Sequence, residues 1–222
     1  MNIVILLYKG FTAMDVVWPY EILCRLPGAK VTFAAKEKGV IDSEYPGMKM
    51  VATHSLAETE SADILLVPGS TFAFGQVMQD DEILHHIRRI DATSKWTTSV
   101  CTGALILAAA GLLKGKPATT HWAVLDTLNS FGARSESKRY VHEGKLITAA
   151  GMSAGIDMAL YLTSQIVDED YAKMLQLILE YYPKIPTGIS DVSRVPEKIE
   201  TGARTFLKTE IEKMRKEISV QN

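Results

Sequence analysis

Short unbroken apolar runs alternate along this chain with stretches whose apolar positions recur at helical spacing. "NIVILLY" and "ADILLVPGS" lack in-and-out alternation, as strands buried on both faces do. "AKVTFAAK" and "KWTTSV" read as further strands. "GVIDSEYPGMKMVATHSL" is rich in turn residues and reads as a hairpin, and "RYVHEGKLITAA" as two strands around Glu143-Gly144. Between them lie helical patterns. "DVVWPYEILCRL" places Val17, Ile22 and Leu26 on one face, with Asp15 as its N-cap. "DDEILHHIRRIDATS" is amphipathic, with acids in its first turn and arginines later, as the helix dipole prefers. "TGALILAAAGLL" is small and apolar on most sides, so it must be buried. "GKPATT" reads as a short strand and "HWAVLDTLNSFG" as a helix. "SAGIDMALYLTSQIV" and "DEDYAKMLQLILEYY" are consecutive helices. A connector from Pro183 to Pro196 leads to a charged amphipathic helix, "EKIETGARTFLKTEIEKMRKEI".

Strands alternating with helices define an α/β protein with a mostly parallel sheet covered on both faces. No repeat or low-complexity tract interrupts the pattern. The chain divides into one domain over residues 1–186 and a C-terminal extension, 187–222, whose helix is expected to pack on the same domain or on a dimer partner.

Composition narrows the class. The 222 residues carry a formal net charge of −2, which gives no support for nucleic-acid or anionic-membrane binding. Charged residues interrupt every apolar stretch short of membrane-spanning length. The chain starts on a strand-like run, without the basic segment and cleavage pattern of a signal peptide. Two cysteines, Cys24 and Cys101, form neither a CxxC nor a disulfide framework, and fit a reducing, cytoplasmic setting. No Gly-x-Gly-x-x-Gly or phosphate-binding loop is present, so no cofactor is expected. The histidines have no ligand spacing with cysteines or acids, so no metal is expected.

Cys101 lies where "KWTTSV" ends and the small-residue helix begins. In open parallel sheets, ligands bind beyond the carboxyl ends of strands. A thiol there faces free N–H groups of the next helix, which favour its thiolate. Gly103 permits the close backbone approach of a nucleophile elbow. The plain alternative is an inert core cysteine, which is the reading for Cys24, set mid-helix among apolar residues. Asp15 caps a helix or supplies an acid. Thr102 is either the first helical residue or a hydroxyl that orients water or bonds the thiol. His121 starts a helix and bonds to backbone, or serves as a base. Trp122 packs or forms a pocket wall. His85 and His86 read as solvated.

"SVCTGALILAAAGLLKGKPATTHW", with "VPGS", "AMDVVWP", "AGMSAGIDMAL" and "LQLILEYYPKIP", resembles the DJ-1/PfpI superfamily from about Ile3 to Pro186, and within it the isocyanide hydratase branch. The resemblance implies a flavodoxin-like, class I glutamine amidotransferase-like sandwich, with Cys101 as nucleophile on the elbow. It implies a homodimer acting on a small molecule. DJ-1-like members place a glutamate four residues before a proline, against the cysteine; here Asp15 precedes Pro19 at that spacing, as in isocyanide hydratases. Protease-like members carry histidine after the cysteine, where this chain has Thr102. The usual Pro-Gly-Gly turn is Pro68-Gly69-Ser70, so the Ser70 side chain narrows or polarises the pocket. Gly69, Ser70, His121 and Trp122 are the expected substrate-binding residues; Cys101, Asp15 and Thr102 the catalytic ones. The implied reaction adds water to an isocyanide through a covalent thioimidate. The alternatives are a glyoxalase-type hydratase of small reactive carbonyls and a redox or ligand sensor built on Cys101.

Overall fold

A computed structural model describes residues 1–189 and 192–220, with side chains described as far as Lys213. Strands β1 (Asn2–Leu6), β2 (Lys30–Ala35), β3 (Gly39–Asp42), β4 (Lys49–Ala52), β5 (His54–Ser55), β6 (Ile64–Val67), β7 (Trp96–Val100), β8 (Pro117–Ala118), β9 (Arg134–Ser135), β10 (Tyr140–Glu143) and β11 (Leu146–Ala149) alternate with helices. These are α1 (Ala13–Leu23), α2 (Phe74–Val77), α3 (Asp81–Thr93), α4 (Gly103–Ala109), α5 (Thr127–Ser130), α6 (Ala154–Ile166), α7 (Glu169–Ile178) and α8 (Glu197–Val220). The main sheet runs β10-β11-β7-β6-β1-β2-β5. Its pairings are parallel except for the antiparallel edge hairpin β10–β11. This is the flavodoxin-like α/β sandwich the resemblance implies.

The continuous apolar runs of β1, β6 and β11 are buried almost end to end, as strands covered on both faces must be. Helix α4 is buried along most of its length because Gly103 and the alanines let it lie close to the sheet. The predicted hairpin forms as β3–β4, and its continuation, β5, adds the last parallel edge strand to β2. The chain leaves β1 for β2 on one side and later places β6 on the other. The order therefore reverses at β1, and the carboxyl ends of β1 and β6 open a crevice, the usual ligand position in such sheets.

Several local expectations are corrected. Helix α1 starts at Ala13, with Thr12 at the cap position and no side-chain capping bond. Asp15 is thus inside the first turn and does not cap the helix. The predicted helix over "HWAVLDTLNSFG" breaks into a 3-10 turn at Trp122–Val124 and the short α5. Only Leu128 is buried across those two pieces, too little apolar face to hold a longer helix. "GKPATT" contributes only two strand residues, paired with β9 outside the main sheet. Thr119 and Thr120 instead turn inward: the Thr119 N–H donates to Thr148 Oγ1 and the Thr120 hydroxyl to the Cys101 carbonyl. Cys24 is not mid-helix core. It sits at the C-terminal cap of α1, half-buried, and burial raises its thiol pKa. In the expected C-terminal extension, Ser190, Asp191, Gln221 and Asn222 lie outside the described residues.

Candidate active site

Three neighbouring strand ends carry the candidate chemistry. Asp15 follows β1, Gly69 and Ser70 follow β6, and Cys101 and Thr102 follow β7. Cys101 has φ +57°, a left-handed conformation that costs a non-glycine residue about 1–2 kcal/mol. Its N–H donates to Ala149 O at 3.0 Å and its carbonyl accepts from Thr120 Oγ1 at 2.8 Å. Bonds to two further segments hold the strained elbow in place. Gly103 is required beneath it, since a Cβ there would overlap the Val67 carbonyl oxygen.

Gly69 joins the acid to the thiol. Its N–H donates to Asp15 Oδ2 at 2.9 Å and its carbonyl accepts the Thr12 N–H at 2.9 Å. A Cβ at Gly69 would lie 2.5 Å from Thr102 N and 3.0 Å from Cys101 Cβ, so only glycine lets the two loops close. Pro19 removes the N–H that would bond the Asp15 carbonyl within α1. Pro19 also packs on Gly155 of α6, where a Cβ would stand 3.2 Å from the proline ring.

Asp15 is wholly buried. Desolvation, opposed by the Gly69 N–H and reinforced by Glu44, pushes its carboxyl up to about 8. It is therefore protonated at neutral pH. Oδ2 accepts a hydrogen bond, whereas Oδ1 is buried with no partner. The proton accordingly belongs on Oδ1, a donor with nothing to donate to inside the protein.

Cys101 departs from expectation. Burial first, then the neighbouring Asp15 carboxyl, push its thiol well above the usual range; the Thr102 N–H opposes them. The short α4 does not outweigh desolvation, so the resting pair is a thiol beside a carboxylic acid.

Thr102 donates its hydroxyl to Ser70 O and accepts the Ser70 N–H, both at 2.8 Å. The Ser70 hydroxyl accepts from Phe74 N at 2.7 Å. Both side chains thus brace the turn after β6, with Ser70 bonded to the first residue of α2, whose cap position is Ala73. His121 and Trp122 line a cleft of about 480 Å³ with Trp18, Arg139 and Met152; Asp15 and Cys101 are not part of its lining, and Thr120, which is, bonds the Cys101 carbonyl. His121 Nδ1 accepts from Ala123 N at 3.4 Å, so it both caps the 3-10 turn and faces the cleft, and burial lowers its pKa. The structure adds residues that the sequence did not single out. Tyr8 donates to Pro68 O at 3.0 Å. Glu44 reaches Thr71. Ile189 and Val192 close the outer rim. Tyr8 had one available signal, its place at the carboxyl end of a buried strand; Glu44 had none.

Among the described residues, no cluster of three or more histidine, cysteine or acidic side chains could hold a metal, and no helix is long and apolar enough to cross a membrane.

A parallel sheet with a strained cysteine elbow and a buried acid at its topological switch defines a class of α/β proteins with a thiol-centred site. Residues 1–165 match the DJ-1/PfpI family, and the chain belongs to it. It is 37% identical over 204 residues to the isonitrile hydratase of Pseudomonas putida, spanning 92% of this chain and 89% of that one. The crystal structure of a THiJ/PfpI family protein from Pseudomonas syringae is similar at TM-score 0.89 and 34% identity, covering 96% of this chain and 88% of its own. The deglycase PfpI of Pyrococcus furiosus is 26% identical over 150 residues, 67% of this chain and 89% of that one.

Proposed function

We propose that the protein is a cysteine-dependent hydratase that converts isocyanides to N-substituted formamides. The observation that carries this reading is the buried Asp15 Oδ1, without a hydrogen-bond partner, on a carboxyl that the Gly69 turn links to the Cys101 elbow. An isocyanide carbon is electrophilic and becomes basic when sulfur bonds to it, so the reaction needs a proton donor more than an oxyanion hole. The similarity to an isonitrile hydratase supports the same substrate class.

In the first step the Cys101 sulfur bonds to the terminal carbon while Asp15 protonates that carbon, and the carboxylate takes the thiol proton. The product is the thioimidate R–N=CH–S–Cys, with Asp15 an acid again. Water then adds across C=N, its hydroxyl to carbon and a proton to nitrogen by way of Asp15. Collapse forms C=O, breaks C–S and returns the hydroxyl proton to sulfur. The sum is R–NC + H₂O → R–NH–CHO, with thiol and acid restored. Thr102 and Gly69 position the pair, and His121 and Trp122 contact the substrate's side group. No cofactor or metal takes part. Exposed Met174, Leu177, Ile178 and Tyr182 form an apolar surface suited to a homodimer. A cytoplasmic location agrees with two unpaired cysteines.

Incubation with alkyl and aryl isocyanides, following formamide by mass spectrometry, tests the reading. We expect turnover that Cys101→Ala abolishes and that declines as pH rises through about 8, where Asp15 loses its proton. Turnover surviving Cys101→Ala removes the covalent route. Turnover of methylglyoxal alone favours the deglycase-like chemistry, and oxidation of Cys101 with no turnover favours a sensor.

A further inference from the structure

Glu44 lies in the β3–β4 turn, far from either reactive group in sequence, yet it is bonded to the loop that leads from β1 to Asp15 and to the turn after β6 whose Gly69 N–H donates to Asp15. Its N–H donates to Phe11 O at 3.0 Å, four residues ahead of Asp15. Its Oε2 accepts the Thr71 N–H at 2.7 Å, two residues after Gly69. The flanking Gly10 N–H to Asp42 O bond and the Phe11–Ser43 bridge fasten the same arm. None of these contacts requires a charge. The Phe11 bond is backbone to backbone, and a glutamine carbonyl would accept from Thr71 equally well. What a glutamate adds is a half-buried negative charge against the turn whose Gly69 N–H bonds Asp15.

We propose that Glu44 is a positioning residue whose negative charge holds protons on the Asp15–Cys101 pair, keeping Asp15 an acid at working pH. The titratable groups that meet here come from four elements: Tyr8 from the end of β1, Asp15 from α1, Cys101 from the elbow, and Glu44 with the neighbouring Tyr45 from the hairpin. Burial is the largest cause of the upward shift in Tyr8, Asp15 and Cys101, and the Glu44 charge raises all three further. A negative charge in a low-dielectric setting opposes each neighbouring ionisation. Asp15's service as proton donor rests on the hydratase reading, whereas the electrostatic assignment of Glu44 does not.

Glu44→Gln and Glu44→Asp test it through two readouts. One is the pH profile of isocyanide turnover. The other is the pH dependence of Cys101 alkylation by iodoacetamide, read on the Cys101 peptide by mass spectrometry. Removing the charge makes both neighbours easier to ionise. Glu44→Gln should move the alkaline limb of turnover and the alkylation midpoint down by about half a unit to one unit, so that alkylation at fixed pH below the midpoint runs about three- to ten-fold faster. Glu44→Asp should restore both toward the native values. A shifted alkylation profile in a protein that turns over no isocyanide keeps the Glu44 assignment and removes the hydratase reading. Midpoints unmoved in Glu44→Gln overturn the assignment, as does an equal slowing of both variants at an unchanged midpoint, which would mark Glu44 as a brace only.

Discussion

At the inner end of the site Asp15, Ser70 and Thr102 are 0%, 1% and 4% exposed; Asp15 and Thr102 are each bonded to the backbone of the turn after β6, and Ser70 to Phe74 within that segment. At the outer rim Met152, Ile189 and Val192 are 47%, 40% and 47% exposed and belong to loops or, for Val192, a single 3-10 turn. The inner end is fixed by close packing at three strand ends, so its geometry is set before any substrate arrives, as electrostatic preorganisation requires. The rim is shaped by side chains that cover apolar surface without supporting the sheet. On the proposed reading, chemistry is therefore coupled to the fold, whereas the choice of substituent on the substrate can change with little cost to the fold.

Asp15→Asn should break the inner end in its most informative way. On the proposed reading the variant lacks the proton donor, so turnover should fall roughly 10²–10⁴-fold, about 3–5 kcal/mol of barrier. Stability should move in the other direction. Unfolded Asp15 ionises near its ordinary 3.8, whereas the folded group holds its proton up to about 8. The folded chain therefore binds more protons between these values, and native stability falls as pH rises through that window. Asparagine does not ionise and still accepts the Gly69 N–H. The variant should gain up to about 5 kcal/mol at pH 8 and little at pH 4, checked by urea unfolding at both. A variant uniformly less stable across pH would show that the carboxyl is a structural bond and not a stored acid.

Gly103→Ala sharpens the claim that the inner end is a matter of packing. The added Cβ would overlap the Val67 carbonyl and lie 2.9 Å from the Pro68 carbonyl carbon. These are backbone atoms of a buried strand end and cannot swing aside. A loss of about 3 kcal/mol or more is expected, read as a lowered unfolding midpoint. Gly75, at whose Cβ position nothing lies within 4 Å, provides the control, and Gly75→Ala should be nearly neutral or slightly stabilising.

The same contrast explains what could be read from the chain beforehand. The buried strands were legible because β1 and β6 are apolar throughout, a pattern few other elements require. The elbow was legible because a strand running directly into a small-residue helix leaves one residue at the turn, Cys101. Asp15 was legible as an acid only through its spacing from Pro19 and the family resemblance. Local rules made it a cap, because they cannot see that its partner is Gly69, brought in by the sheet. The thiol's pKa was misjudged for a similar reason, since helix ends are visible in sequence and burial from all sides is not. Glu44 was invisible because its place beside the site is set by two long-range contacts, one from its backbone and one from its carboxylate. The break in the predicted helix after His121 also depended on tertiary structure, since Trp122 is drawn to the cleft wall where Arg204 meets it.

That meeting offers the gentlest perturbation. The Arg204 guanidinium lies 4.7 Å over the Trp122 ring and its Nη1 donates to Ala123 O at 3.3 Å, while Glu200 holds its other face. An exposed cation–π contact contributes about 0.5–1 kcal/mol, and an exposed i,i+4 ion pair less. Arg204→Ala should therefore lower global stability by under about 1 kcal/mol. If the rim governs which substituent fits, the loss should appear in KM for bulky aryl isocyanides, by a few-fold, with kcat and the reaction of a small alkyl isocyanide unchanged. Arg204→Lys keeps the charge but loses the planar stack and should fall between the two. An equal effect on large and small substrates would mean that Trp122 is coupled to the elbow through Thr120 and Cys101 O, and that inner and outer halves are not separable after all.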